Sequence, residues 1–206
     1  MITRRLLIAS AAAGAAGLSS VGRALAQSDA GPSEAQVYND PGNPVLGNPK
    51  GDVTIAEFFD FQCPYCKRDF PNVRDVVEKD GNVRLVLKDW PVFGPPSVYA
   101  SHLVLGAFHT GKFEPALNAL MATPGKLTEE QIDATLAKAG IDIAGLKAAF
   151  QSHSKEIDAT LKRNYALAEA FGFQGTPSYV IGHTLFGGVV DKPTLTEAIA
   201  KARRPA

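Results

Sequence analysis

Cys63-Pro64-Tyr65-Cys66 holds the only two cysteines of the chain and follows directly on an apolar run, Val53 to Phe61. Two residues between the sulfurs is the spacing at which a helix start keeps both in bonding range. One sulfur can then attack a disulfide while the other resolves the mixed product. A chain stapled by disulfides spreads its cysteines across loops, whereas this chain places both in one motif. Within that run, Val53 to Phe59 reads as a buried strand. Pro64 suits the first turn of the following helix, where its missing N–H is not needed and its φ is already helical.

The helical pattern runs from Cys63 through Val73, Val76 and Val77 toward Gly81, and a second strand follows from Val83 to Lys88. Strand, helix, strand is the unit that builds a mostly parallel sheet with a right-handed crossover. From about residue 97 to 171 the chain reads as several helices punctuated by Gly111, Pro124-Gly125 and Gly140. Thr128 with Gln131 forms a capping box there. Ile157, Leu161, Tyr165 and Ala168 make an apolar stripe expected to pack between helices. After Gly175-Thr176-Pro177 come two short strands, Ser178 to Ile181 and Thr184 to Phe186, and a last helix with a capping box at Thr194 and Glu197.

Residues 1–26 read as an export signal: Arg4 and Arg5, a weakly hydrophobic stretch rich in Ala and Gly, then Ala24-Leu25-Ala26 before Gln27. Glycines and serines dilute the stretch below what a membrane span requires. Thr3-Arg4-Arg5-Leu6-Leu7 resembles the twin-arginine motif. That route and the general secretory route both lead to an oxidising compartment, here the periplasm, where a cysteine pair can cycle. Removing the signal leaves 18 basic against 21 acidic side chains, a formal charge of −3. No Lys/Arg cluster of the kind that tracks phosphates occurs, which argues against a nucleic-acid partner. Residues 27–50, rich in Gly, Pro, Asn and Ser, read as a flexible lead-in, and residues 51–206 as one domain.

The order of these elements resembles the thioredoxin-fold proteins of the DsbA family. The likeness is carried by Glu57 to Cys66, by Val86-Leu87-Lys88-Asp89-Trp90-Pro91-Val92 and by Gly175-Thr176-Pro177-Ser178-Tyr179-Val180. Within that family the chain is most similar to exported members with Cys-Pro-Tyr-Cys, including ScsC-like proteins, but it lacks their helical N-terminal stalk. The resemblance implies an α/β thioredoxin fold with an inserted helical subdomain. It also implies thiol:disulfide exchange with reduced or misoxidised exported proteins, and a DsbB-like or DsbD-like membrane partner.

Cys63 at the helix start is the expected nucleophile, because unpaired N–H groups and the helix dipole favour its thiolate, and Cys66 is the expected resolving thiol. Glu57 lies inside a central strand, where a carboxylate is costly to bury; it is expected to relay the Cys66 proton, with Lys88 as its ion-pair partner. Thr176-Pro177 resembles the family's cis-proline loop beside the disulfide, and together with Pro64 and Tyr65 is expected to meet substrate. Tyr65, uncharged between the cysteines, stabilises a thiolate less than a histidine would and suggests an oxidant of middling strength. His102, His109, His153 and His183 show no paired spacing that would complete a zinc site with the cysteines, so no metal and no cofactor is expected. A reductase or isomerase run in the opposite direction, or a non-catalytic chaperone or copper-binding protein, are the alternative functions. Phe58, Phe59 and Phe61 are expected in the core.

Overall fold

The computed structural model describes residues 31–204, so the export-signal stretch 1–26 lies outside the described residues. Two small elements come first, α1 (Glu34–Tyr38) and β1 (Val45–Gly47). The central unit is β2 (Val53–Phe59), α2 (Pro64–Asp80) and β3 (Val83–Asp89), with β2 and β3 parallel and Glu57 opposite Leu87. Both strands are buried along almost their full length, as parallel strands covered on two faces must be. Cys63 caps the start of α2. Gly81, at φ 71, ends it in the left-handed conformation that residues with a Cβ avoid.

Four helices follow, α3 (Pro95–His109), α4 (Phe113–Met121), α5 (Glu129–Lys138) and α6 (Ile143–Ala170). The chain then returns through β4 (Ser178–Ile181) and β5 (Thr184–Gly187) to α7 (Lys192–Ala202). The sheet order is β1-β3-β2-β4-β5, with β2 in the middle, parallel to β3 and antiparallel to β4. Ile55, Phe59, Leu85 and Leu87 belong to the larger core, which includes Val73 and Val77 of α2, Leu195 and Ile199 of α7, and α3 to α5. Ala56, Phe58 and Val180 belong to a smaller core with Val37, Trp90, Leu167 and Ala168. Phe58 meets Trp90, Phe171 and Phe173 edge-on, with ring centroids 6.4, 6.3 and 5.3 Å away. Such pairs contribute about 0.5–1.5 kcal/mol each beyond burial.

Three local expectations are corrected. The described part of the lead-in is not a flexible segment: α1 and β1 lie within it, and β1 pairs antiparallel with β3. Its partners are distant in sequence: Arg84 donates to the Tyr38 carbonyl at 2.6 Å, Lys88 to that of Gln36 at 3.1 Å, and Arg163 Nε to Asp40 at 2.6 Å. Gly47, at φ 72, is packed so closely that an added Cβ would lie 2.5 Å from the Val83 carbonyl oxygen. The inward face of α6 runs through Ile157, Thr160, Asn164, Leu167 and Ala168, while Tyr165 is exposed, because Asn164 is needed inside to reach Asn43 and the Asp89 carbonyl. The cap of α7 is Asp191, which accepts the Thr194 N–H, and not Thr194 itself; Pro193 at the second helical position lets the helix begin earlier.

Candidate active site

Cys63 and Cys66 are free thiols, both fully buried. Cys63 Sγ accepts the Cys66 backbone N–H at 3.4 Å and lies 3.2 Å from the Thr176 carbonyl oxygen, to which its S–H points. The Thr176–Pro177 bond is cis. The Cys66 thiol beside Cys63 holds the Cys63 thiol below its ordinary range, at about 6, and backbone N–H groups at the helix start act in the same sense. Burial pushes the Cys66 thiol up, and the neighbouring Cys63 pushes it further. The two sulfurs are therefore unequal, one poised as a thiolate and the other held protonated.

The loop before the motif is fastened by polar residues that pattern reasoning passed over. Both carboxylate oxygens of buried Asp60 are satisfied: they accept the Gln62 N–H and Ser97 hydroxyl at 2.7 Å each, and the Val92 and Phe93 N–H groups at 2.7 and 3.1 Å. One carboxylate thus ties the approach to Cys63 to the turn after β3 and the start of α3. Gln62 clamps Leu127 in both directions, accepting its N–H at 2.7 Å and donating to its carbonyl at 3.1 Å. Lys67 donates to Thr123 Oγ1 at 2.9 Å and to the Gly125 carbonyl. The helical insertion is thereby latched to the cysteine helix. The only sequence signal for this was polar residues crowded against an apolar strand and the Cys motif.

Glu57 is fully buried, and neither carboxylate oxygen has a hydrogen-bond partner. Burial, followed by the negative charges of Asp69 and Cys63, pushes its carboxyl up to about 8. Asp69, on α2, is itself buried and accepts the Tyr179 hydroxyl at 2.8 Å. Two carboxyl groups, one tyrosine and the Cys66 thiol are thus electrostatic neighbours beneath the cysteine helix. Lys88 does not belong to this group, which corrects the expected Glu57–Lys88 pair. In the parallel register Glu57 lies opposite Leu87 while Lys88 lies opposite Phe58, so the lysine points to the other face of the sheet. There it donates to the Gln36 carbonyl and, at 3.5 Å, to Asn164.

Pro64 and Tyr65 lie at the surface, and Arg68 places its guanidinium 4.9 Å from the Tyr65 ring centroid. Tyr65, Thr176 and Pro177 border a largely apolar groove of about 720 Å³, which Phe171, Phe173 and Leu185 extend along β5, the edge strand. Phe58, Phe59 and Phe61 are core residues. Among the described residues no helix is long and apolar enough to cross a membrane.

A cysteine pair at a helix start, facing a cis-proline loop over a mixed sheet, defines the class of thioredoxin-fold redox proteins. Residues 39–201 match the family model described as Thioredoxin. A thioredoxin-like oxidoreductase from Silicibacter pomeroyi is 39% identical, with a TM-score of 0.81 over 85% of this chain and all of that one. The catalytic domain of Proteus mirabilis ScsC is 27% identical, with a TM-score of 0.69 over 82% of this chain and 93% of the other. The thiol:disulfide interchange protein DsbA of Bordetella parapertussis is 27% identical over 153 residues, 72% of each chain. The chain also matches the Na(+)/H(+) antiporter NhaA of Herminiimonas arsenicoxydans at 26% identity, spanning 25% of that longer protein. The chain belongs to the thioredoxin family, among its DsbA-like, ScsC-like thiol:disulfide oxidoreductases.

Proposed function

We propose that this protein is an exported oxidoreductase that donates the Cys63–Cys66 disulfide to folding proteins in the periplasm. The observation that carries the proposal is the placement of Cys63 as the cap of α2, its Sγ accepting the Cys66 N–H at 3.4 Å and lying 3.2 Å from the Thr176 carbonyl beside the cis Thr176–Pro177 bond. The lowered Cys63 thiol and the raised Cys66 thiol agree with it. A substrate thiolate attacks Cys63 Sγ, the Cys63–Cys66 bond breaks, and its electron pair leaves on Cys66, which takes up a proton. A second substrate thiolate then attacks the substrate sulfur of the mixed disulfide, forming the substrate disulfide and releasing Cys63 as a thiolate. The substrate is oxidised by two electrons and the protein is reduced by two. Glu57, with its carboxyl raised to about 8, carries a proton at pH 7 and serves as donor to the departing Cys66 sulfur.

The groove beside Tyr65 and Pro177 suits an extended apolar segment of an unfolded client, and β5 offers an edge for strand pairing. Reoxidation by a DsbB-like membrane partner completes the cycle, and the basic, Ala-rich stretch over residues 1–26 supports export. The test is oxidation of a reduced, unfolded model protein. Cys63→Ser and Cys66→Ser each abolish turnover, because neither can hold the Cys63–Cys66 disulfide, and Cys66→Ser given the disulfide-bonded form of the model protein instead accumulates a mixed disulfide on Cys63. Full activity in Cys63→Ser overturns the mechanism. A reduction potential well above about −270 mV, toward about −120 mV, fits an oxidant, and one near about −270 mV assigns the reverse, reducing direction.

A further inference from the structure

We infer that His109, His153 and Glu156 form a binding site for a borderline divalent cation of the zinc type, at the seam between α3 and α6. The donor atoms of the three side chains all lie within 4.8 Å of one another. The His109 and His153 rings stack with centroids 3.7 Å apart and planes 6° apart, although they lie 44 positions apart in sequence. His153 Nδ1 lies 3.6 Å from Glu156 Oε2, longer than a hydrogen bond. Zinc takes imidazole nitrogen and carboxylate oxygen at about 2.0–2.2 Å, and bonds of that length in a tetrahedron place neighbouring ligands roughly 3.3–3.5 Å apart. The His153–Glu156 pair is therefore spaced close to a coordination edge.

The surroundings favour a cation. His109 is the last residue of α3, where unpaired carbonyls make the negative end of the helix dipole, and Glu156 adds a full negative charge. Two imidazoles and one carboxylate form the ligand set that catalytic zinc sites use with a fourth position left to water. Parallel rings aim their nitrogen lone pairs side by side. Capture of an ion thus needs one ring to turn about its soft terminal torsion until the lone pairs converge. Solvent reaches all three side chains, which leaves room for that turn. None of the three borders the groove beside the cysteines, so the site is separate from the redox chemistry.

The test is titration of the full chain with zinc, followed calorimetrically, with Cys63 and Cys66 held as their disulfide so that thiolates do not compete. Saturable binding of one ion is expected. His109→Ala and His153→Ala should each weaken it about tenfold or more and Glu156→Gln by less, while His183→Ala leaves it unchanged. All four variants should keep the wild-type circular dichroism spectrum and the wild-type rate of disulfide exchange. Absence of saturable binding overturns the inference, and so does equal affinity in the folded His109→Ala/His153→Ala double variant.

Discussion

Cys63 Sγ rests 3.2 Å from the carbonyl oxygen of Thr176, a residue 113 positions later in the chain. The contact brings together the start of α2 and the loop leading into β4. Both are positioned by β2, which pairs with β3 on one side and with β4 on the other. Cys63 is thus placed between two loops whose own positions are held by one buried strand.

The titration of Cys63 is the first expected outcome. With its thiol lowered to about 6, roughly 90% is thiolate at pH 7, and the rate of iodoacetamide alkylation of the reduced protein should rise to half its maximum near pH 6. Because the Cys66 thiol is the largest cause of the lowering, Cys66→Ala should move that midpoint upward and slow alkylation at pH 6 several-fold. An unmoved midpoint would place the cause in the helix start alone.

Glu57 makes stability depend on pH. Its folded carboxyl, raised from 4.5 to about 8, binds a proton that the unfolded chain releases, so stability falls as pH rises between those values. The loss is about 3 kcal/mol at pH 7, at about 1.36 kcal/mol per pKa unit. Asp89, raised to about 7 chiefly by burial, adds a fall of the same sign. Urea unfolding of the oxidised protein at pH 5 and pH 8 should therefore show a smaller fall in Glu57→Gln than in wild type, and equal slopes would remove Glu57 from this role.

Tyr179 and Asp69 should behave as a coupled pair. Tyr179→Phe leaves Asp69 buried without its donor, at a cost of about 1–3 kcal/mol in denaturant unfolding. Asp69→Asn keeps an acceptor for the hydroxyl but removes a negative charge that raises Glu57, so the pH-dependent fall in stability should shrink. A double-mutant cycle reads the coupling, and strict additivity would argue against it.

Lys88 gives the opposite expectation. Burial lowers its ammonium to about 8, so it favours the folded state less below that pH than above it, with the gain present as pH rises from about 8 toward 10.5. Its recorded acceptors are the Gln36 carbonyl and Asn164, both uncharged. Lys88→Met should hold or raise the thermal midpoint at pH 7 and leave the rate and pH profile of disulfide exchange within about twofold of wild type. A shifted pH profile would restore Lys88 to the proton path.

Local patterns carried a great deal. The Val53–Phe59 strand, the helix opening at Cys63-Pro64 and closing at Gly81, and the strand Ser178–Ile181 all coincide with their elements. Each depends on periodicity, on proline at a helix start or on glycine at its end, physics that acts within a few residues. The two cysteines and the Thr-Pro loop were likewise visible as residue types, and the structure sets them 3.2 Å apart through the Thr176 carbonyl.

What the chain could not state by itself was which residues meet across distance. A one-residue step along β3 decides that Leu87 and not Lys88 stands opposite Glu57, and the alternation of a strand turns that step into opposite faces of the sheet. The same dependence on distant partners set α1 and β1 in place, paired Asp69 with Tyr179 and stacked His109 on His153. The sequence alone determined the Cys-Pro-Tyr-Cys motif and the elements that present it, because those arise from short-range geometry. Only the tertiary structure decided the electrostatic neighbours of that motif, because register and helix packing, not local preference, choose which side chains share a buried space.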